Sequence, residues 1–284
     1  MSIIFSNVFH TYGLKSPFAF NALNDVNLTL DEGKFIAIVG RTGSGKSTLV
    51  QHMNALLKPT QGKVVINEWI NSSDKKERTK KLAGLRKEVG MVFQFPEYQL
   101  FEDSVVKDVA FGPMNFGVKE KEATEAAKEA LARVGLGESF YERSPFQLSG
   151  GEKRKVAIAG ILAMSPRILV VDEPTAGLDP QASKEMMSLF RTVLESGTTI
   201  ILVSHDMDIV AEYADEVIVM ENGEVKKQCT PEELFGVALQ EYSLDKPHTY
   251  AFAEGLRNKG IDIQSKSLKN VSELALAIKE KLNG

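Results

Sequence analysis

An apolar run that ends in a glycine loop constrains this chain most: Phe35-Ile36-Ala37-Ile38-Val39, then Gly40-Arg41-Thr42-Gly43-Ser44-Gly45-Lys46-Ser47. Consecutive apolar residues of this kind read as a strand buried on both faces, as in a parallel sheet covered by helices. The glycines let backbone N–H groups turn inward on an anion. Thr48-Leu49-Val50 can then begin a helix whose N-terminus adds its positive end. Gly-x-x-x-x-Gly-Lys-Ser in that setting is a phosphate loop. Gly40, Thr42, Gly43, Ser44, Gly45 and Thr48 line it, Lys46 reaches the β- and γ-phosphates of a nucleotide, and the Ser47 hydroxyl sits on Mg²⁺.

The rest of the chain agrees with a layered α/β protein. Runs at Val89–Phe93, Ile168–Val171 and Thr199–Val203 read as further buried strands. Val217–Met220 and a segment from Val225 flank Asn222-Gly223, a two-residue hairpin signal. Strands separated by helical stretches imply a ligand at the C-terminal ends of the strands. From about 95 to 164 the pattern changes to helix, most clearly in the Ala-, Glu- and Lys-rich stretch from Lys119 to Arg133. Thr230-Pro231-Glu232-Glu233 has the form of a capping box. Leu274, Ile278 and Leu282 recur every four residues, an amphipathic helix.

Composition narrows the partners. With 34 basic and 38 acidic side chains the formal charge is −4, which argues against nucleic acid as the main partner. No apolar run approaches the roughly 20 residues needed to span a bilayer. The first residues lack the basic region and apolar core of a signal peptide, and a single cysteine, Cys229, suits a reducing cytoplasm. Any membrane role is therefore expected to be borrowed from partners.

Two further motifs decide what the phosphate loop serves. Leu148-Ser149-Gly150-Gly151-Glu152 precedes a plausible helix, with Ser149 as N-cap and two glycines that allow close backbone approach. It is a second anion-seeking helix start. Ile168-Leu169-Val170-Val171-Asp172-Glu173 is a buried strand ending in adjacent carboxylates, which alternation points in opposite directions.

Together these motifs resemble the ABC ATPases, in which two nucleotide domains close face to face on ATP. The resemblance implies a P-loop NTPase fold: a RecA-like core, a helical subdomain at about 95–164 within residues 1–228, and a small accessory element at 229–284. It assigns Asp172 to Mg²⁺, Glu173 to general-base activation of the attacking water, and His205 to the γ-phosphate. Gln94 touches Mg²⁺ and that water. Ser149, Gly150 and Gly151 contact the ATP of the opposite subunit, and Asp179 in Ala176-Gly177-Leu178-Asp179 senses the opposite site. Tyr12 stacks on adenine, with Phe18 and Phe20 as rivals.

Val92-Phe93-Gln94-Phe95-Pro96-Glu97-Tyr98-Gln99-Leu100-Phe101 and Glu152-Lys153-Arg154-Lys155 are similar to the second type of ATPase in energy-coupling-factor transporters. That resemblance implies a heterodimer with a related ATPase, a transmembrane coupling subunit and a separate substrate-binding membrane subunit. It places the chain on the cytoplasmic face of the membrane, driving uptake of vitamins or trace metals, with the tail helping to join the two ATPases. Glu97, Glu102 and Asp103 are expected to receive basic residues of the coupling subunit. The alternatives are a homodimeric ATPase of a binding-protein-dependent importer and, further off, a soluble ABC ATPase.

Overall fold

Phe35–Val39 is a strand in which every side chain is buried, and its residues face different cores. Ile36 and Ile38 join one apolar cluster, Phe35 a second, and Ala37 and Val39 a third. A strand covered on all sides in this way has no polar face to alternate, which is why it reads as a continuous run.

The computed structural model describes residues 2–236, 239–261, 263 and 268–283. Its strands are β1 (Ser2–Tyr12), β2 (Phe20–Asp31), β3 (Phe35–Val39), β4 (Gln61–Ile66), β5 (Trp69–Ser72), β6 (Val89–Val92), β7 (Ile168–Asp172), β8 (Thr199–Val203), β9 (Glu216–Glu221) and β10 (Glu224–Cys229). The helices are α1 (Lys46–Met53), α2 (Ala83–Glu88), α3 (Val105–Asn115), α4 (Glu120–Arg133), α5 (Gly150–Leu162), α6 (Pro180–Glu195), α7 (Met207–Tyr213), α8 (Pro231–Phe235), α9 (His248–Arg257) and α10 (Val271–Asn283).

Six strands form a sheet in the order β10-β9-β3-β8-β7-β6, parallel except for β10. Its register sets Ile38 opposite Val203, Val203 opposite Asp172, and Val171 opposite Val92. The ends of β3, β8, β7 and β6 therefore lie along one edge. The residues that follow each strand, Gly40, His205, Glu173 and Gln94, emerge together there.

A second, antiparallel sheet runs β2-β1-β4-β5 and packs on α1 and the first sheet through Ile3, Phe5, Val8, Leu23 and Val64. No apolar run announces it. In β1 the register slips between Phe5 and Val8, with Asn7 at φ 46°, so the inward residues lose their period of two. Asn7 donates to the Asp25 carboxylate at 2.9 Å and its backbone N–H donates to Asn27 at 2.9 Å, which fixes the bulge.

On the opposite face α3, α4, α5 and α6 cover β7 and β8, and no strand lies between Val92 and Ile168 among the described residues. The tail carries α8 to α10. Thr230 and Glu233 form the expected capping box at α8, and α9 and α10 share a small core of Ala253, Ile263, Leu268 and Leu274. Ile278 packs against that core. The side chain of Leu282, third member of the stripe, lies outside the described residues.

Candidate functional site

The phosphate loop is built around two positions that only glycine can fill. Gly40 has φ +147° and Gly45 φ +102°. A Cβ on Gly40 would sit 2.2 Å from the Met220 carbonyl, and one on Gly45 2.5 Å from the Ala22 carbonyl. Gly43, at φ +81°, faces open space. The loop is braced from behind, because the Gly223 N–H donates to the Ser44 carbonyl at 3.0 Å.

Within this cradle Lys46 donates to the carbonyls of Gly40 at 2.7 Å and Arg41 at 3.0 Å. Burial lowers its pKa, opposed by the nearby Glu173 and Asp172 carboxylates. The buried Ser44 hydroxyl has no hydrogen-bond partner among the described residues, an orphan that suits a polar ligand. Thr42 is exposed at the mouth, and Thr48 is buried in the first turn of α1.

Asp172 ends β7 with its carboxylate on the Ser47 hydroxyl. Burial pushes its pKa up and the Ser47 hydrogen bond pulls it down. A hydroxyl beside a carboxylate is a pair of hard oxygen donors, which fits Mg²⁺. Among the described residues no group of three His, Cys, Asp or Glu side chains forms a protein-only metal cage, so phosphate and water oxygens would have to complete the shell.

Glu173 turns away from its neighbour for a backbone reason. Its φ is +50°, in the left-handed region, while its N–H donates to the Val203 carbonyl at 3.0 Å. Its Oε1 lies 2.8 Å from His205 Nδ1, with the carboxylate mostly shielded and the imidazole exposed. Gln94 sits exposed at the bend after β6, followed by Phe95 at φ +55°. A cleft of about 890 Å³ begins at Glu173 and His205, passes Lys184 and Glu212, and reaches His248 and Lys269 in the tail.

Ser149 caps α5: its hydroxyl accepts from the Glu152 N–H at 3.3 Å, and its own N–H donates to the Glu152 carboxylate at 2.8 Å. Unlike Gly40 and Gly45, Gly150 and Gly151 have no positive φ, and a Cβ on either would meet nothing within 4 Å. Asp179 caps α6 through Oδ1, which accepts from Gln181 and Ala182 at 2.9 Å. The Tyr12 hydroxyl lies 3.2 Å from Thr48 Oγ1, which puts its ring beside α1, whereas Phe18 and Phe20 are more exposed on the β1–β2 connection and β2.

Comparison with known proteins identifies the family of this chain. A family model described as ABC transporter matches residues 23–176. The energy-coupling factor transporter ATP-binding protein EcfA2 of Lactiplantibacillus plantarum is 51% identical, covering 99% of this chain and 96% of its own. Its counterpart from Enterococcus faecalis is 52% identical over 93% and 92%. This chain belongs to the ABC transporter ATPases, in their energy-coupling-factor branch. Among solved structures, cbiO1 of Clostridium perfringens, part of the ABC transporter complex cbiONQ, matches with TM-score 0.71 and 38% identity over 82% of this chain and 90% of that one. The ATP-binding cassette MJ0796, dimeric and bound to ADP and Pi, matches at 0.69 and 33% over 81% and 98%. As an ABC ATPase the chain couples ATP hydrolysis to transport.

One residue of this ABC ATPase escaped sequence reasoning. Arg154 on α5 is 4% exposed and ties three motifs together. It donates to Glu97 at 2.9 and 3.2 Å, and to the carbonyls of Pro174 at 3.2 Å and Ala176 at 2.9 Å, with its guanidinium over the Phe95 ring. The capped helix, the bend after Gln94 and the turn after Glu173 therefore share one cation. The expectation that Glu97 awaits a basic partner outside the chain is corrected by this pair. Burial pushes the Glu97 carboxyl up, but the Arg154 hydrogen bond and charge outweigh it and hold it low. Its place in α5 carries no local mark of burial, because its neighbours Lys153 and Lys155 are basic as well and only partly buried.

Proposed function

We propose that this chain is the second-type ATPase of an energy-coupling-factor transporter and pairs with a related ATPase. Each ATP lies between the phosphate loop of one subunit and Ser149, Gly150 and Gly151 of the other. The observation that carries this reading is the contrast between two sets of glycines. Gly40 and Gly45 are required by atoms of this chain, whereas nothing among the described residues requires Gly150 or Gly151. Their lack of side chains is explained by something that approaches from outside, and a helix N-terminus suits a phosphate.

Within the site Lys46 exchanges its two loop carbonyls for phosphate oxygens, and the orphan Ser44 hydroxyl gains a partner. Ser47, Asp172 and Gln94 are the residues that would hold Mg²⁺, which would offset the phosphate charge. Glu173 accepts the proton of the attacking water, and His205, hydrogen-bonded to it, orients the carboxylate and the γ-phosphate. Tyr12 stacks on the base. Asp179, through the turn that Arg154 supports, reports on the opposite site.

The domain reading is residues 1–228 as the ATP-binding domain and 229–284 as an accessory element that joins the two ATPases. No helix among the described residues is long and apolar enough to cross a membrane. Coupling is instead placed at an exposed aromatic surface after Gln94, formed by Tyr98, Phe101 and Phe111, with Phe101 packed edge-on against Phe111 at 4.7 Å. A transmembrane coupling subunit docks there on the cytoplasmic face, and a separate membrane subunit selects the vitamin or trace metal.

Gly151→Val tests the central point. Because its Cβ meets nothing, the variant is expected to fold and to bind ATP normally as an isolated chain, yet to lose at least about 100-fold in the ATPase rate of the assembled complex. Full turnover would overturn the shared-site reading. Mass spectrometry of the complex purified from native membranes identifies the partners: a related ATPase and a coupling subunit are expected.

A further inference from the structure

Behind Tyr12 lies a group of aromatic rings that the hydrolytic reading does not use. His10, two residues back and on the same side of β1, meets the Tyr12 ring edge-on at 4.6 Å and 75°. On its other side it meets His52 of α1 at 4.8 Å and 79°. His10 is 7% exposed and His52 fully buried, so Tyr12 is the only ring of the three that reaches the surface. Edge-to-face packing at these distances is the arrangement aromatic rings prefer, and it resists rotation of each ring.

The two imidazoles are held by the backbone. His10 Nδ1 lies 3.0 Å from the Lys58 carbonyl, and His52 Nδ1 lies 2.7 Å from the Thr48 carbonyl. Carbonyl oxygens only accept, so each Nδ1 carries the proton, and burial lowers both pKa values and favours the neutral rings. The far end of the stack closes on the phosphate loop. Thr48 is in the first turn of α1, its carbonyl receives His52, and its hydroxyl meets that of Tyr12 at 3.2 Å. A path therefore runs from Tyr12 through His10 and His52 to Thr48 and back to Tyr12.

We propose that His10 is a positioning residue for the nucleotide base: stacked between Tyr12 and buried His52, it fixes the Tyr12 ring at a set height beside the phosphate loop. The proposal rests on the reading of Tyr12 as the base platform. A tyrosine on a strand end, 41% exposed, would otherwise sample several rotamers, and ordering it on binding would weaken the base contact. With the ring already fixed, the base meets a prepared surface. The phosphates are held by α1 and the loop, so the stack bears on base affinity and not on phosphate affinity.

The test is equilibrium binding to the full-length chain, with ATP and with inorganic tripolyphosphate as a probe that has the phosphates and lacks the base. His10→Ala should weaken ATP about 3- to 10-fold and leave tripolyphosphate unchanged. His10→Gln keeps a donor for the Lys58 carbonyl without an aromatic ring and should behave the same way, which covers a failure of the alanine variant to fold. His10→Phe restores the ring and should return ATP affinity to within about two-fold. Tyr12→Ala is the reference and should also weaken ATP alone. Normal ATP binding by His10→Ala and His10→Gln, with Tyr12→Ala impaired, would overturn the role of His10 and leave Tyr12 as the platform. Normal ATP binding by Tyr12→Ala would remove the platform itself, and the proposal with it. Equal weakening of tripolyphosphate by the His10 variants would mean general damage to the loop and would also overturn it.

Discussion

At the scale of single residues, the chemistry rests on side chains whose directions the backbone sets. Glu173 follows Asp172 on β7, yet its left-handed φ of +50° turns it out of the strand and onto His205. Its expected role gives a direct prediction. Glu173→Gln keeps the shape and removes the base, so turnover should fall about 100- to 10,000-fold while ATP binding persists, read as phosphate release beside a nucleotide titration. Turnover near that of the parent would remove Glu173 from the reaction. Much at this scale was legible beforehand. The glycine loop, Ser149 as a cap and the carboxylate pair all carry their reason in local spacing. Arg154 does not. Its partners Glu97, Pro174 and Ala176 come from two distant segments, and nothing near Arg154 in the chain marks it as buried.

At the scale of elements, α5 begins at the capped Ser149 and is anchored by Arg154 to the segment after β6 and the turn after β7. The Arg154 contacts thus tie the capped helix start to the hydrolytic edge, beside the packing of α5 on β6. Removing the cation leaves the Glu97 carboxylate shielded and unpaired, so Arg154→Met should cost roughly 3 kcal/mol, measured by urea unfolding. Double replacement with Glu97→Gln should recover part of that loss, since the stranded charge is then gone. Among elements, those buried on both faces were plain from their continuous apolar runs, and Asn222-Gly223 marked the β9–β10 turn, with both residues at positive φ. The antiparallel sheet was not plain, because the slip between Phe5 and Val8 moves the inward side of β1 halfway along its length.

At the scale of the molecule, burial of His52 makes stability depend on pH. Its pKa falls from 6.5 to about 4, chiefly by burial, opposed by its bond to the Thr48 carbonyl and aided by His10. The folded state therefore keeps the ring neutral while the unfolded chain takes up a proton. Above pH 6.5 this costs nothing. As pH falls from 6.5 toward 4 the native state loses ground, by about 3 kcal/mol in all. Urea midpoints near neutral pH and near about pH 5 should show the loss, and His52→Gln should flatten that part of the curve. The brace behind the phosphate loop has a consequence of another kind. Gly40 abuts the Met220 carbonyl, and Gly45 and Gly223 both abut the carbonyl of Ala22, while Gly223 also holds Ser44. Two glycines of the nucleotide loop and one from a distant hairpin thus answer to one small volume. Crowding at the hairpin turn is therefore felt in the nucleotide loop, and the two segments answer to side-chain volume as a single unit.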